Sequence, residues 1–187
     1  FMDAAKLLGE WFGLPMPVTP QGKPRQLTKV EFIAQKCRTN TDPVIAYLAG
    51  RGIADAVIQQ AIKRRTIGFN DWTSPKLPAG QPGDGGPAAA CMVYDGNGEC
   101  VAVDFRYLDA ELNGGVKTQC QGEKNGFYWT SDPRRLAVAR TVFIVESPIN
   151  ALSIETALAH QSGFACLAIR GVANVGNIDW AFLRGKR

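Results

Sequence analysis

Arg140 to Leu158 reads RTVFIVESPINALSIETAL. Val142 to Val145 is an unbroken run of β-branched and aromatic residues, the composition of a strand buried on both faces. Glu146 stands where the run ends. Ser147 can cap a helix with its hydroxyl, and Pro148 fits a first turn, where no backbone N–H is needed. Ala151, Ile154 and Leu158 then recur at spacings of three and four, which gives the helix an apolar face. The unit is strand, acid, tight turn, helix. Ligands of open α/β sheets gather beyond the carboxyl ends of strands, where this order puts Glu146. A purely structural Glu there would cap the helix or pair with a neighbouring cation such as Arg170. A catalytic one would stay free to meet a metal ion.

Outward from this unit, Asp132 to Ala139 is expected to form a short helix feeding the strand, with Arg134, Arg135 and Arg140 adding positive charge. Phe164 to Ile169 is a second buried strand, and the two should be parallel neighbours joined by a right-handed crossover. Arg170-Gly171-Val172-Ala173-Asn174 would then lie beside the Glu146 turn. Asp179 to Leu183 starts a last helix. His160, the one histidine, lies late in the helix after Glu146, where a charge near a helix end is favourable.

Composition sets the outer limits. The chain has 187 residues, enough for one large or two small domains, and 45% are apolar, so a packed core is feasible. No apolar run approaches the roughly 18 residues of a membrane span. The N-terminus lacks a basic region followed by a long apolar core, the mark of a signal peptide. Net charge is +4, from 21 Lys and Arg against 17 Asp and Glu, which permits nucleic-acid binding without requiring it. The five cysteines, at 37, 91, 100, 120 and 166, are odd in number and contain no Cys-x-x-Cys. That argues against a disulfide framework or closed zinc site and for a reducing cytoplasmic location. No GxxxxGK[ST] phosphate loop occurs.

Ahead of residue 140, Asp3 to Gly13 has a short amphipathic pattern, and four prolines between Pro15 and Pro24 suggest a linker. Leu27 to Cys37, Val44 to Ala49 and a segment from Asp55 are expected helices. The last has an apolar face of Val57, Ile58, Ala61 and Ile62, and Gly68-Phe69 closes the segment. Trp72 to Pro87 is rich in Pro and Gly and reads as a flexible surface loop. Ala88 to Tyr94 and Cys100 to Tyr107 are expected strands. Asp95-Gly96-Asn97-Gly98 between them is a hairpin signal. Along the second strand Val101, Val103 and Phe105 alternate with Ala102, Asp104 and Arg106.

Three phrases together resemble the catalytic core of DnaG-type primases, of a phage or mobile-element kind. IAYLAGRGIADAVIQQAIKRRTIGF is similar to a helical pair near the start of that core. The hairpin ending in Arg106, followed by Lys117, Lys124 and the aromatic Phe127-Tyr128-Trp129, resembles its basic region. VFIVESPINALSI resembles the first motif of the TOPRIM fold, with Glu146 at the family's acid; Ser147 replaces the usual glycine and Asn150 a common aspartate. The resemblance implies an α/β fold in three parts: a tail helix and linker at 1–26, an α+β subdomain of helices, hairpin and basic segment at 27–139, and a partial TOPRIM sheet at 140–187. In it Glu146 would be the catalytic acid and metal ligand. Arg106, Lys117 and Lys124 would line one cleft facing it and bind template or nucleotide phosphates, which need cations.

The implied activity is synthesis of short RNA primers on single-stranded DNA by nucleotidyl transfer, with Mg2+ or Mn2+ held by Glu146 and a later Asp-x-Asp pair. No Asp-x-Asp occurs in the sequence. Truncation before that pair is the preferred explanation and natural loss the other. Either way a divalent ion is expected to bind weakly, and the fragment alone to be inactive. Implied partners are single-stranded DNA, ribonucleotides and a replicative helicase in cis or in trans. The alternatives are a TOPRIM nuclease or topoisomerase, or a non-catalytic single-stranded DNA-binding module.

Overall fold

The computed structural model describes residues 25–187, so the expected helix at 3–13 and linker at 15–24 lie outside the described residues. Five α-helices are described: α1 (Lys29–Lys36), α2 (Asp42–Gly50), α3 (Asp55–Lys63), α4 (Pro133–Val138) and α5 (Pro148–Ala157). Strands β1 (Ile67–Asn70), β2 (Ala88–Tyr94), β3 (Cys100–Tyr107) and β4 (Thr118–Gly122) form an antiparallel sheet in that order. Strands β5 (Thr141–Val145) and β6 (Phe164–Ala168) pair in parallel, with Val142 opposite Ala165 and Val145 opposite Ala168. Helix α5 joins them. The fold class is mixed α/β, as the sequence predicts.

Local chemistry explains most element ends. Thr28 and Glu31 form a reciprocal capping box at α1. Pro43 occupies the first turn of α2, and Pro133 and Pro148 do the same for α4 and α5. In the β2–β3 turn the Asp95 carboxylate accepts from the N–H groups of Asn97 and Glu99, and Gly98 takes the left-handed φ of +81°.

Three expectations need correction. Gly68-Phe69 does not merely close a helical segment; it belongs to β1. The Phe69 N–H donates to the Cys37 carbonyl at 2.7 Å, and any side chain at Gly68 would collide with that carbonyl. The loop at 72–87 is tied down rather than loose. The fully buried Asn113 accepts from the N–H groups of Gly83 and Gly85, and Asp84 accepts from that of Gly80. Strand β5 is not buried on both faces: Phe143 is 36% and Ile144 50% exposed. Burial follows neighbours, and β5 is flanked by β6 on one side and on the other by the backbone of Arg187 alone among the described residues. Every residue of β6 is buried, since it lies between β5 and a bridge to Trp129.

One core spans both sheets. Trp129, fully buried, packs with Leu48 of α2, Ile58 of α3, Val93 of β2, Leu152 of α5 and Cys166 of β6. Its indole N–H donates to the Thr66 carbonyl at 3.1 Å, and its backbone exchanges two hydrogen bonds with Ala168. A second cluster lies under α1, where Ala34 and Cys37 meet Val103, Phe105 and Tyr107. The β3 alternation is thus real, but both faces of the strand are covered.

Two carboxylates lock the segment after Trp129 with opposite consequences. Asp132 caps α4 and accepts from Gln60 of α3 and from Arg64 just beyond its end, the latter at 2.9 Å. Burial works to raise its pKa, but these hydrogen bonds outweigh it and hold the carboxyl below its ordinary value. Glu155 of α5 is 4% exposed, with both oxygens within 2.7 Å of Ser131 Oγ, and burial pushes its pKa up despite that bond. The stability from Asp132 is therefore present above its ordinary pKa and lost as pH falls through the lowered one. That of Glu155 is present below its ordinary value of 4.5 and lost as pH rises through the raised one. Glu155→Gln should raise the melting temperature at neutral pH and change it little in mild acid, whereas Asp132→Asn should lower it at neutral pH. Melts across this range check both; a Glu155→Gln effect independent of pH would contradict the assignment.

Candidate functional site

The carboxyl ends of β5 and β6 are built as the sequence predicts. Glu146 directly follows β5 and is exposed. Ser147 caps α5 by accepting from the Asn150 N–H. The Glu146 carbonyl accepts from the N–H of Gly171, in the loop after β6, at 3.2 Å. Among the described residues no ion pair includes the Glu146 carboxylate.

Arg170 does not pair with that acid. Its side chain is 1% exposed and forks onto Asp104 of β3, with Nε and Nη2 donating at 2.6 and 2.9 Å. Nη1 donates to the carbonyls of Glu123 at 3.1 Å and Lys124 at 3.0 Å and reaches that of Phe127 at 3.5 Å. Burial alone would lower the Arg170 pKa; the Asp104 hydrogen bonds and charge outweigh it and raise it. Arg170 also sits at a φ of 65°, a left-handed backbone that costs a non-glycine residue and persists where surroundings over-determine it. Cys120 Sγ lies 3.2 Å from Nη2, and burial, with Asp104 beside it, pushes this thiol up to about 11.

Asn174, 2% exposed, completes the clamp. Its Nδ2 donates to the carbonyls of Phe127 and Ile169 and its Oδ1 accepts from the Gly126 N–H. Segment 123–127 is thus held against the β6 loop at four backbone positions, the Glu123, Lys124 and Phe127 carbonyls and the Gly126 N–H.

That clamp places Lys124. Its Nζ lies 3.6 Å from the point a Cβ would occupy on Gly171, whose φ is +113°. The lysine amine therefore reaches the same loop that holds the Glu146 carbonyl. Arg106, half-buried, is two residues beyond Asp104 on the same strand face and opposite Thr118 of β4. Lys117 is exposed, its carbonyl accepting from the Tyr107 N–H at 3.1 Å. It is in phase with Gln119, whose Oε1 accepts from the Tyr107 hydroxyl on the opposite strand face. The structure thus brings Lys124 to the acid's turn, sets Arg106 on the Asp104 face and leaves Lys117 in phase with the other. Asp104 and Asn174 were not singled out from sequence. Arg170 and Asp104 are 66 positions apart, and no local pattern links them.

The described residues alone do not make a complete divalent-ion site. Among the described residues no three His, Cys, Asp or Glu side chains stand together. One carboxylate supplies too few oxygens for a hard cation without substrate phosphates and water.

Fold and site together define an α/β protein whose acid at a strand's carboxyl end has no ion pair among the described residues, and whose neighbouring loop is reached by the amine of Lys124. No family model matches the chain, and no curated protein matches it in sequence. Among solved structures, one described as the structure of the DnaG catalytic core is similar at 17% sequence identity and a TM-score of 0.48, over 75% of this chain and 51% of that one. The chain therefore spans about half the length of that chain.

Asp104→Ala should cost about 3–5 kcal/mol, since it leaves a buried guanidinium uncompensated. Arg170→Lys keeps the charge but not the fork, and should speed amide exchange at Gly126. Denaturant melts and hydrogen exchange check these; a loss under about 1 kcal/mol for Asp104→Ala would place the pair among surface-like bridges.

Proposed function

We propose that this chain is part of a primase-type nucleotidyltransferase core, acting on single-stranded DNA and ribonucleotides. The observation that supports it best is the meeting of Lys124 with the Glu146 turn. The two belong to motifs quoted independently for that resemblance, and they lie 22 positions apart in sequence.

In this proposal Lys124 is a point charge for a substrate or template phosphate, and its backbone clamp fixes where the charge stands. Arg106 offers a fork for further phosphate oxygens. Lys117 adds to attraction of the strand at longer range. Glu146 keeps a free carboxylate at the strand end, suited to a magnesium or manganese ion that draws its other ligands from phosphates and water.

Lys124→Ala should weaken binding of a labelled single-stranded oligonucleotide, and each lost phosphate contact should flatten the salt slope by about 0.7. Anisotropy titrations at several salt concentrations measure this; unchanged affinity and slope would contradict the role. Glu146→Gln should leave folding and template binding intact, and in the full-length parent should cut primer synthesis by orders of magnitude. Ribonucleotide incorporation and a thermal melt check this. Near-normal synthesis would remove Glu146 as the catalytic acid, and a large drop in melting temperature would give it a structural role.

A further inference from the structure

A groove of about 420 Å³ lies beside α1 on the sheet face that carries Val103, Phe105 and Tyr107. Asp104 and Arg106 alternate with those residues, so the groove is on the opposite face from the Arg170 fork. Two large aromatic side chains line it in the open: Phe32 of α1 is 53% exposed, and Trp72, just after β1, 58%. Neither ring stacks on another aromatic among the described residues. Trp72 is nonetheless placed. Its carbonyl accepts from the Gly86 N–H at 2.8 Å, and Thr73 bridges to Gly85. A Cβ on Gly85 would stand 3.3 Å from the indole ring, so the glycine lets that ring rest on the loop backbone. The lining is cationic, and none of the described residues in it is acidic. Lys29 and Lys36 stand on α1, the Lys36 amine 5.8 Å from the Phe32 ring centroid. Lys117 is in phase with Gln119 and Gln121, which line the groove from β4, and so extends the positive row. The carbonyl ends of Gln119 and Gln121 accept from the Tyr107 hydroxyl and the Lys29 amine, which leaves both amide NH2 groups without a partner among the described residues.

We infer that this groove binds single-stranded DNA, with bases stacked on Trp72 and Phe32 and phosphates held by Lys29, Lys36 and Lys117. Open aromatic rings on a cationic surface are the chemistry of single-strand binding: every base has a π-face to stack, and amines neutralise the backbone. The two glutamine NH2 groups can donate to base carbonyls. Duplex DNA offers phosphates but keeps its bases stacked on one another. An acidic peptide would answer the charges and leave the rings without planar partners. The inference rests on the primase proposal only in calling this strand the template, which would then be held on both faces of the antiparallel sheet. The contact itself follows from the groove.

The test titrates the whole chain with a labelled oligo-dT of about 10 nucleotides, an abasic strand of the same length, and poly-glutamate as competitor. Oligo-dT should bind saturably and quench indole fluorescence, and the abasic strand should bind more weakly. Trp72→Ala should weaken oligo-dT binding by about fivefold or more, the low end for one lost stacking contact. Trp72→Phe, which keeps a ring, should retain most of the affinity. Phe32→Ala, on a different element, carries the same expectation as Trp72→Ala if the latter disturbs its loop. Both side chains are more than half exposed, so melting temperatures should stay near that of the unaltered chain. Lys36→Ala should flatten the salt slope by about 0.7. Lys124→Ala is the separate arm. Loss of binding there with none in Trp72→Ala or Phe32→Ala would overturn the groove and leave the primase proposal standing; loss in the aromatic variants with none in Lys124→Ala would support the groove and count against that proposal. Equal affinity for the abasic strand, or poly-glutamate competition that disappears in Trp72→Ala, would also overturn the inference, the second by assigning the groove to an acidic protein segment.

Discussion

A buried guanidinium holds the two sheets together. Arg170 leaves β6 in a left-handed conformation, crosses to Asp104 on β3 and takes up carbonyls of segment 123–127 on the way. Burying a charge is costly unless it is paired and its donors are used, and here Nε and both terminal nitrogens have acceptors. The strained backbone, the glycine that follows and the clamp by Asn174 all make sense once that side chain must point inward. The arrangement frees Glu146: the nearest cation on the neighbouring loop is committed elsewhere, so the acid at the strand end keeps no protein partner among the described residues.

The clamp turns a flexible side chain into a placed one. Lysine carries a long, mobile stem, and a lysine on a turn is ordinarily just solvated. Segment 123–127 is instead fixed through its own backbone, so Lys124 starts from a defined point beside Gly171. The fold thereby puts opposite charges at the carboxyl end of a parallel pair, where α/β proteins gather ligands. Asp132 and Glu155 lie behind the same region and tie α3 and α5 to the segment that runs from Lys124 into β5, Asp132 with a gain in stability at neutral pH and Glu155 at a cost there.

Much of this was legible in the sequence where the signal was local. The Asp-Gly-Asn-Gly turn, the period-two strands beside it and the Ser147-Pro148 helix start each depend on adjacent residues. Strand β4, Thr-Gln-Cys-Gln-Gly, is polar and short, and it exists because β3 offers an edge. The apolar run of β5 encodes hydrophobicity but not neighbours, so its exposure could not be read from composition. Glu155 breaks the expectation that carboxylates stay outside, and its Ser131 partner is 24 residues away. Arg170 stood out as a residue after a strand, yet its acceptors belong to β3 and to a loop that no periodicity connects to it.

If Lys124 binds phosphate as proposed, Arg170 should act on that binding through the placement of Lys124. A double-mutant cycle with Lys124→Ala and Arg170→Met, read as single-stranded DNA affinity on folded proteins, tests it most directly. If Arg170 positions the lysine, Lys124→Ala should lose most of its effect in the Arg170→Met background, with a coupling of about 1 kcal/mol or more. Strictly additive losses would show that the two residues act independently and would contradict the account.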